Sequence, residues 1–337
     1  MAQPHIAYPR PPTEKPRTPS RHVFGRRREG GRRRRARSLR YRLIAGLVKF
    51  LVVPLLVLLL AGSWEAADLG LHPPRFDTRH TLRDFPALDA VEQDVSFPSR
   101  AGRVRLVGRF FPSRSRAAII LSHGFGPDQD QMLPWADFLH RAGYSVLTFD
   151  MRARGGSGGA AVTLGALEPY DLLGAVDYVA SRRDVDRRRI GALGLSLGAA
   201  VTIMAAARDD RIRAVDDDSS FSDAQSAIGS AFGAFTHLPS MPFALPTVAI
   251  AEWRAGVSLA TVRPVAVVGR ISPRPILIIH GLADTFIPPV NSQRIYAAAG
   301  RPKSVWWVPG AGHTGAYAVE RAVYERRVVA FFRHALR

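Results

Sequence analysis

Short apolar runs, bounded by glycine, proline and polar clusters, recur along most of this chain. Ala117–Leu121 (AAIIL), Tyr144–Asp150 (YSVLTFD), Ile190–Gly194, Ile212–Val215, Pro275–Gly281 (PILIIHG) and Ser304–Val308 (SVWWV) read as buried strands. Strands covered on both faces carry near-continuous apolar side chains, as these do. Longer segments lie between them and read as helices: Gln131–Ala142, Gly165–Ser181, Leu197–Ala207, Pro289–Ala299 and Ala318–Leu336. This alternation predicts an α/β fold, a doubly wound and mostly parallel sheet with ligands at the carboxyl ends of its strands. Asp94–Phe111 instead alternates residue by residue around Ser99-Arg100-Ala101-Gly102, which predicts a hairpin at the sheet edge.

The pattern changes at the amino-terminal end. Leu43–Gly62 (LIAGLVKFLVVPLLVLLLAG) is apolar except for Lys49 and is interrupted by Pro54. About twenty apolar residues span a bilayer. Lys49 sits near the basic flank, where its ammonium can reach the headgroups, and proline is tolerated in membrane helices. Of the net charge of +19, Met1–Arg42 carries +12, with ten arginines in Arg26–Arg42. The positive-inside rule then predicts a single-pass protein of the inner or plasma membrane, with residues 1–42 in the cytoplasm and everything after Trp64 outside. Anionic lipid contact is a secondary expectation for the arginines. Nucleic-acid binding is disfavoured, because no aromatics interleave with the arginines as base stacking requires. Cleavage at Ala61-Gly62-Ser63, with secretion, is the alternative to an anchor. The expected organisation is a basic disordered tail over 1–42, a transmembrane helix over 43–62, a linker over 63–93 and one α/β domain over 94–337.

The candidate chemistry sits at the strand ends. Gly194-Leu195-Ser196-Leu197-Gly198 fits G-x-S-x-G, a strand–turn–helix elbow that holds a serine hydroxyl out at its apex. His280-Gly281-Leu282-Ala283-Asp284 delivers Asp284 just past one strand, and Pro309-Gly310-Ala311-Gly312-His313 delivers His313 after the last. A serine hydroxyl needs an imidazole to take its proton, and the imidazole needs a carboxylate to hold its tautomer. The order Ser196, Asp284, His313 matches one of the known triad arrangements. Asp216-Asp217-Asp218, expected at the end of the next strand, competes with Asp284 for the acid role. The loop Ser122-His123-Gly124-Phe125-Gly126 lies where an oxyanion donor is needed, so the Phe125 and Leu197 amides are the predicted pair, with His123 tethering the loop. Asp150 and Arg152 are expected to pair and to shape the glycine-rich turn that follows.

With HGFG, FDMRARGGSG, GLSLG, HGLAD and GAGH in this order, residues 91–337 resemble the α/β-hydrolase superfamily. They look most like serine hydrolases related to dienelactone hydrolase and to the prolyl-oligopeptidase catalytic domain. The resemblance implies a triad of Ser196, Asp284 and His313, with oxyanion donors at Phe125 and Leu197. It implies an acyl-enzyme route for an ester, thioester or amide. A carboxylesterase is expected before a serine peptidase of the same fold, because a small ester needs less positioning. Relatives commonly read D-x-R-G-x-G-x-S where this chain has Ala153 and Arg154, so their substrates do not transfer.

Ser219–Pro273 is longer than a normal crossover. It is expected to form either a helical cap over 219–273, lined by Phe232, Phe235, Phe243 and Trp253, or a plain crossover with loops. The chain has no cysteine, which excludes disulfides, thiolate metal sites and a cysteine nucleophile. No cofactor or metal is called for by this chemistry, and the expected partner is a small acyl substrate. A non-catalytic membrane scaffold that keeps the fold is the alternative from a different class.

Overall fold

A computed structural model describes residues 27–74 and 80–337. The predicted disorder of the basic tail falls outside the described residues for 1–26, but residues 27–42, also expected to be disordered, are helical; arginine is a good helix former. By internal contacts the chain divides into a unit ending at Val57 and a larger one, Leu58–Arg337.

Helix α1 spans Arg27–Leu47, a π turn follows at Val48–Val52, and α2 runs over Val53–Leu71. Pro54 lacks an N–H, so a regular i to i−4 ladder cannot pass through it, and a π turn is a common way to absorb that defect. Arg37–Leu71 is, by length and composition, long and apolar enough to cross a membrane. The helix does not stop at Gly62. Ser63–Leu71 was expected to be linker, yet it remains helical and buries Ser63, Ala66, Ala67 and Leu71. The sequence SWEAADLGL is built largely of good helix formers, and burial of its small residues fixes it.

The larger unit is built on one eight-stranded sheet, in the order β1-β2-β4-β3-β5-β6-β7-β8. After the short helix α3 (Pro86–Asp89), β1 (Gln93–Pro98) and β2 (Arg105–Phe111) form the predicted antiparallel edge hairpin. β3 (Ala118–Ser122), helix α4 (Leu133–Arg141) and β4 (Ser145–Phe149) follow. Then come α5 (Glu168–Ser181), β5 (Ile190–Leu195), α6 (Leu197–Ala206) and β6 (Ile212–Asp218). β2 joins β4 antiparallel, whereas β3 through β8 are parallel. The sheet is thus the mostly parallel α/β sheet that the alternation of runs predicted, in the α/β-hydrolase form that the motif resemblance implied.

Beyond β6 the chain forms α7 (Ala224–Thr236), α8 (Ser240–Ala255) and the short α9 (Pro264–Val267). It returns to the sheet through β7 (Ile276–Gly281), α10 (Val290–Ala298) and β8 (Lys303–Val308). The short α11 (Ala316–Val319) and α12 (Arg321–Ala335) close it. Apolar clusters cover both sheet faces: Phe110, Ile120 and Val201 belong to one, Phe111, Leu121 and Phe332 to the other.

The acidic trio departs from expectation. Asp216, Asp217 and Asp218 do not follow the strand but lie within β6, each fully buried. β6 pairs on both sides, with β5 and β7, so these residues cannot turn out to solvent. Burial, reinforced by Asp218 and Asp217, drives the Asp216 carboxyl well above the ordinary range. Burial likewise pushes Asp217 to about 7, partly opposed by the charge of His280. A protonated acid is the cheaper form of an isolated buried carboxyl. Asp218 is tied by the Tyr324 hydroxyl at 2.8 Å and the Ser219 hydroxyl at 2.8 Å.

Candidate active site

Ser196 occupies the turn between β5 and α6 with φ 54° and ψ −113°, a conformation that costs energy for any residue with a side chain. Two glycines make the turn sterically feasible. A Cβ on Gly194 would sit 2.2 Å from the Gly198 carbonyl oxygen, and one on Gly198 would sit 2.2 Å from the Ser122 oxygen. The Ser196 amide donates to the Asp218 carbonyl at 2.8 Å, which pins the apex to β6. Here the backbone of the acidic trio, not its carboxylates, meets the site.

The structure brings Ser196, His313 and Asp284 into one hydrogen-bonded row. The Ser196 hydroxyl lies 2.8 Å from His313 Nε2, and His313 Nδ1 lies 2.7 Å from Asp284 Oδ2. The other carboxylate oxygen of Asp284 accepts the amides of Phe286 at 2.9 Å and Ile287 at 2.8 Å. Burial opposes ionisation of Asp284. Hydrogen bonds from His280 and His313, with the Ile287 amide, outweigh that cost and hold the carboxyl well below its usual range. Asp284 therefore stays a carboxylate, the form needed to orient an imidazole.

His280 was not singled out from the sequence. It is fully buried, and its Nε2 stands 3.3 Å from Asp284 Oδ2 and 2.9 Å from the Ile287 carbonyl. Its Nδ1 meets the Ser292 hydroxyl at 2.6 Å. The only local signal was its place four residues before Asp284 in HGLAD. Phe286, also missed, sets its ring 5.0 Å from the His313 imidazole.

His123 and Phe125 belong to one small arrangement. Burial lowers the His123 pKa to about 4, so the ring is neutral near pH 7. Its Nδ1–H donates to the Gly124 carbonyl at 2.8 Å, and its Nε2 accepts the Met151 amide at 3.0 Å. The Gly124 carbonyl and the Phe125 N–H share one trans peptide, so tying the first fixes the direction of the second. Leu197 is the first residue of α6, and its N–H has no partner within the helix.

Asp150 and Arg152 do not pair with each other, contrary to expectation. Arg152 forms a buried ion pair with Asp171, 2.6 Å from Nη2 to Oδ1. Asp150 instead accepts the Gln129 amide at 2.8 Å and the Gly156 amide at 2.9 Å. It fills the space beside Gly155, where a Cβ would lie 2.0 Å from its Oδ2. Burial raises it to about 6, with the two amides partly offsetting that push.

Ser196 opens onto an apolar cavity of about 130 Å³. Phe232 and Phe235 line it, as expected. Phe243 and Trp253 do not. The side of α8 facing the cavity carries Thr247, Val248 and Ala251. Trp253 lies two residues past Ala251, hence on the opposite side, and is 74% exposed. Phe243 lies beyond the cavity edge and packs where a Cβ on Gly62 would be 3.0 Å from its ring. One further part of the wall comes from an unexpected quarter: Ala66, Ala67, Leu69, Gly70 and Leu71 of α2. Among the described residues no group of acids, histidines or cysteines is arranged to hold a metal ion.

Fold and sheet order define this as an α/β hydrolase. The prolyl oligopeptidase family model matches residues 131–337, and the chain belongs to that family. It is 30% identical over 253 residues to the Escherichia coli K12 protein YfhR, covering 72% of this chain and 81% of that one. The Mycobacterium tuberculosis H37Rv protein Rv2307c is 31% identical over 224 residues, covering 66% of this chain and 72% of the relative. Among solved structures, the Pyrococcus furiosus esterase Pf2001 superposes with a TM-score of 0.65 at 25% identity, over 79% of this chain and all of the esterase. The chain is thus a hydrolase by family.

Proposed function

We propose that this protein is a membrane-anchored serine hydrolase that cleaves carboxylic esters through an acyl-enzyme on Ser196. The observation that carries this reading is the unbroken row of hydrogen bonds from Ser196 through His313 to Asp284. His313 Nε2 takes the hydroxyl proton as Ser196 Oγ bonds to the substrate carbonyl carbon. The carbonyl oxygen becomes an oxyanion, which the Phe125 and Leu197 amides receive. The intermediate collapses with loss of the alkoxide, and His313 returns the proton to it. Water then repeats the sequence in reverse, frees the acid and restores Ser196. Asp284 holds the imidazole and stabilises its charged form throughout.

An ester is favoured over a peptide by the apolar lining of the cavity beside Ser196. It offers little to satisfy the hydrogen-bonding groups of a peptide backbone, which are costly to bury unpaired. The Pyrococcus furiosus relative, an esterase by name, agrees in direction. The apolar run over residues 43–62 and the basic flank support the anchor, with the hydrolase unit outside the cytoplasm. The test is turnover of short-chain p-nitrophenyl esters by the full chain. Activity should be present and should fall by at least about ten-thousandfold in Ser196→Ala. Undiminished turnover in that variant would refute the reading.

A further inference from the structure

Helix α8 is apolar on its outer side and over most of its inner one. The inner side, Thr247, Val248, Ala251 and Ala255 with one acid, Glu252, walls the cavity beside Ser196. Its outer side repeats at four-residue spacing through Leu245, Ala249 and Trp253, all exposed, with Leu245 and Trp253 each at 74%. A surface helix of a water-soluble protein normally carries polar residues on that side, whereas a helix apolar all round signals a core or a membrane setting. Met241, at 71% exposure, extends the apolar patch at the start of α8.

What covers this patch is indicated by what it touches. The Trp253 ring lies 6.5 Å from that of Trp64, two residues after the apolar run ends at Gly62. Arg254 joins the same contact: its guanidinium lies 4.7 Å from the centre of the Trp64 ring and donates to Asp68 at 2.6 Å. Tryptophan and arginine beside the end of an apolar span are the residues expected at headgroup depth. Leu58 and Leu60, one to two turns earlier on α2, are 66% and 55% exposed. The same helix then supplies Ala66, Ala67 and Gly70 to the cavity wall. At 1.5 Å per residue these lie within about 12 Å of Gly62 along the axis.

We propose that the outer side of α8 rests in the membrane interface, and that the substrate is an acyl-ester lipid drawn from that membrane. Its carbonyl reaches Ser196 and the first part of its acyl chain enters the cavity between α7, α8 and the end of α2, while the rest stays in the bilayer. The proposal rests on the serine-hydrolase reading and deepens it. It accounts for three features at once: the exposed apolar stripe, the apolar cavity beside the serine, and the continuation of α2 into the cavity wall. A water-soluble substrate would need none of them.

The test uses the full chain in phosphatidylcholine vesicles with p-nitrophenyl palmitate dissolved in them, alongside p-nitrophenyl acetate in the water. The readout is the ratio of the two rates. In Leu245→Glu/Trp253→Glu, the palmitate-to-acetate ratio should fall at least tenfold, with acetate turnover within twofold of wild type. An unchanged ratio overturns the proposal, whether or not the absolute rates move. Tryptophan emission gives a second reading that does not depend on turnover. Brominated acyl chains in the vesicles should quench part of the wild-type emission, and that part should shrink in Trp253→Phe. Quenching identical in the two proteins also overturns the proposal. Gly70→Trp should raise the acetate-to-palmitate ratio at least tenfold, because a Cβ there meets nothing within 4 Å and a ring can enter the cavity. If Ser196→Ala keeps its acetate turnover, the serine-hydrolase reading has failed, a result separate from any change in these ratios.

Discussion

His280 and His313 both reach one oxygen of Asp284, His313 Nδ1 at 2.7 Å and His280 Nε2 at 3.3 Å. The carboxylate is thus held from the buried side by one imidazole while it orients another toward Ser196. Burial alone would lower the pKa of His280, but Asp284 and the Ile287 carbonyl outweigh burial and raise it.

His280 therefore acts as a positioning residue. Removal of a hydrogen bond to a charged group costs about 1.5–3 kcal/mol. His280→Ala should lower kcat roughly ten- to a hundredfold with KM little changed. Asp284 would lose a donor on its buried side and hold the His313 ring less firmly. Steady-state kinetics at neutral pH checks the split between kcat and KM. A variant with wild-type kcat would show that His280 only fills space.

The elbow tolerates no side chain at its two glycines. Gly194→Ala and Gly198→Ala each place a methyl group 2.2 Å from backbone oxygen, which cannot swing aside as a flexible side chain would. Overpacking of a rigid site costs about 1–3 kcal/mol or more. Each variant should unfold at lower temperature and lose ester turnover, measured by thermal denaturation and initial rates. Wild-type values in both assays would show that the turn is looser than described.

Buried acids give the protein a particular pH dependence. Asp217, pushed to about 7, holds a proton in the folded state that the unfolded chain, with an ordinary pKa of about 3.9, releases. The folded state then binds more protons across that window, so this group's contribution to stability is lost as pH rises from about 4 to 7. Asp150, at about 6, acts in the same direction. Asp217→Asn should flatten the fall of Tm between pH 5 and 8 and raise Tm at pH 8 by several degrees. Calorimetry at several pH values decides it. A steeper fall in the variant would contradict the assignment.

The buried pair of Arg152 and Asp171, with side chains 5% and 0% exposed, holds the turn after β4 to α5. Removing one partner strands the other charge, at about 3–5 kcal/mol. Asp171→Ala should lower the free energy of unfolding by that amount, and the double change to apolar residues should recover part of it. Chemical denaturation of both variants tests this.

Much of the site was legible because its parts are local. Ser196 lies in a five-residue pattern set by backbone clearance, and Asp284 and His313 close apolar runs that could only be strands. Features that depend on long-range packing were not. Asp216 and Asp217 look like a strand end because acids break an apolar run, yet pairing on both sides of β6 buries them. Ser63–Leu71 reads as linker because its helix is held by burial against the rest of the unit rather than by pattern. Phe243 and Trp253 read as cavity aromatics because composition does not reveal which side of α8 faces inward. The Asp150–Arg152 pair failed for the same reason, since Asp171 lies nineteen positions from Arg152.

The central claim is that Ser196 is the nucleophile activated by His313. Reaction of the full chain with an active-site fluorophosphonate, followed by peptide mass spectrometry, tests it directly. The account predicts one adduct, on Ser196, absent in Ser196→Ala and slowed at least about a thousandfold in His313→Ala. An adduct on another residue, or equal labelling without the imidazole, would contradict it.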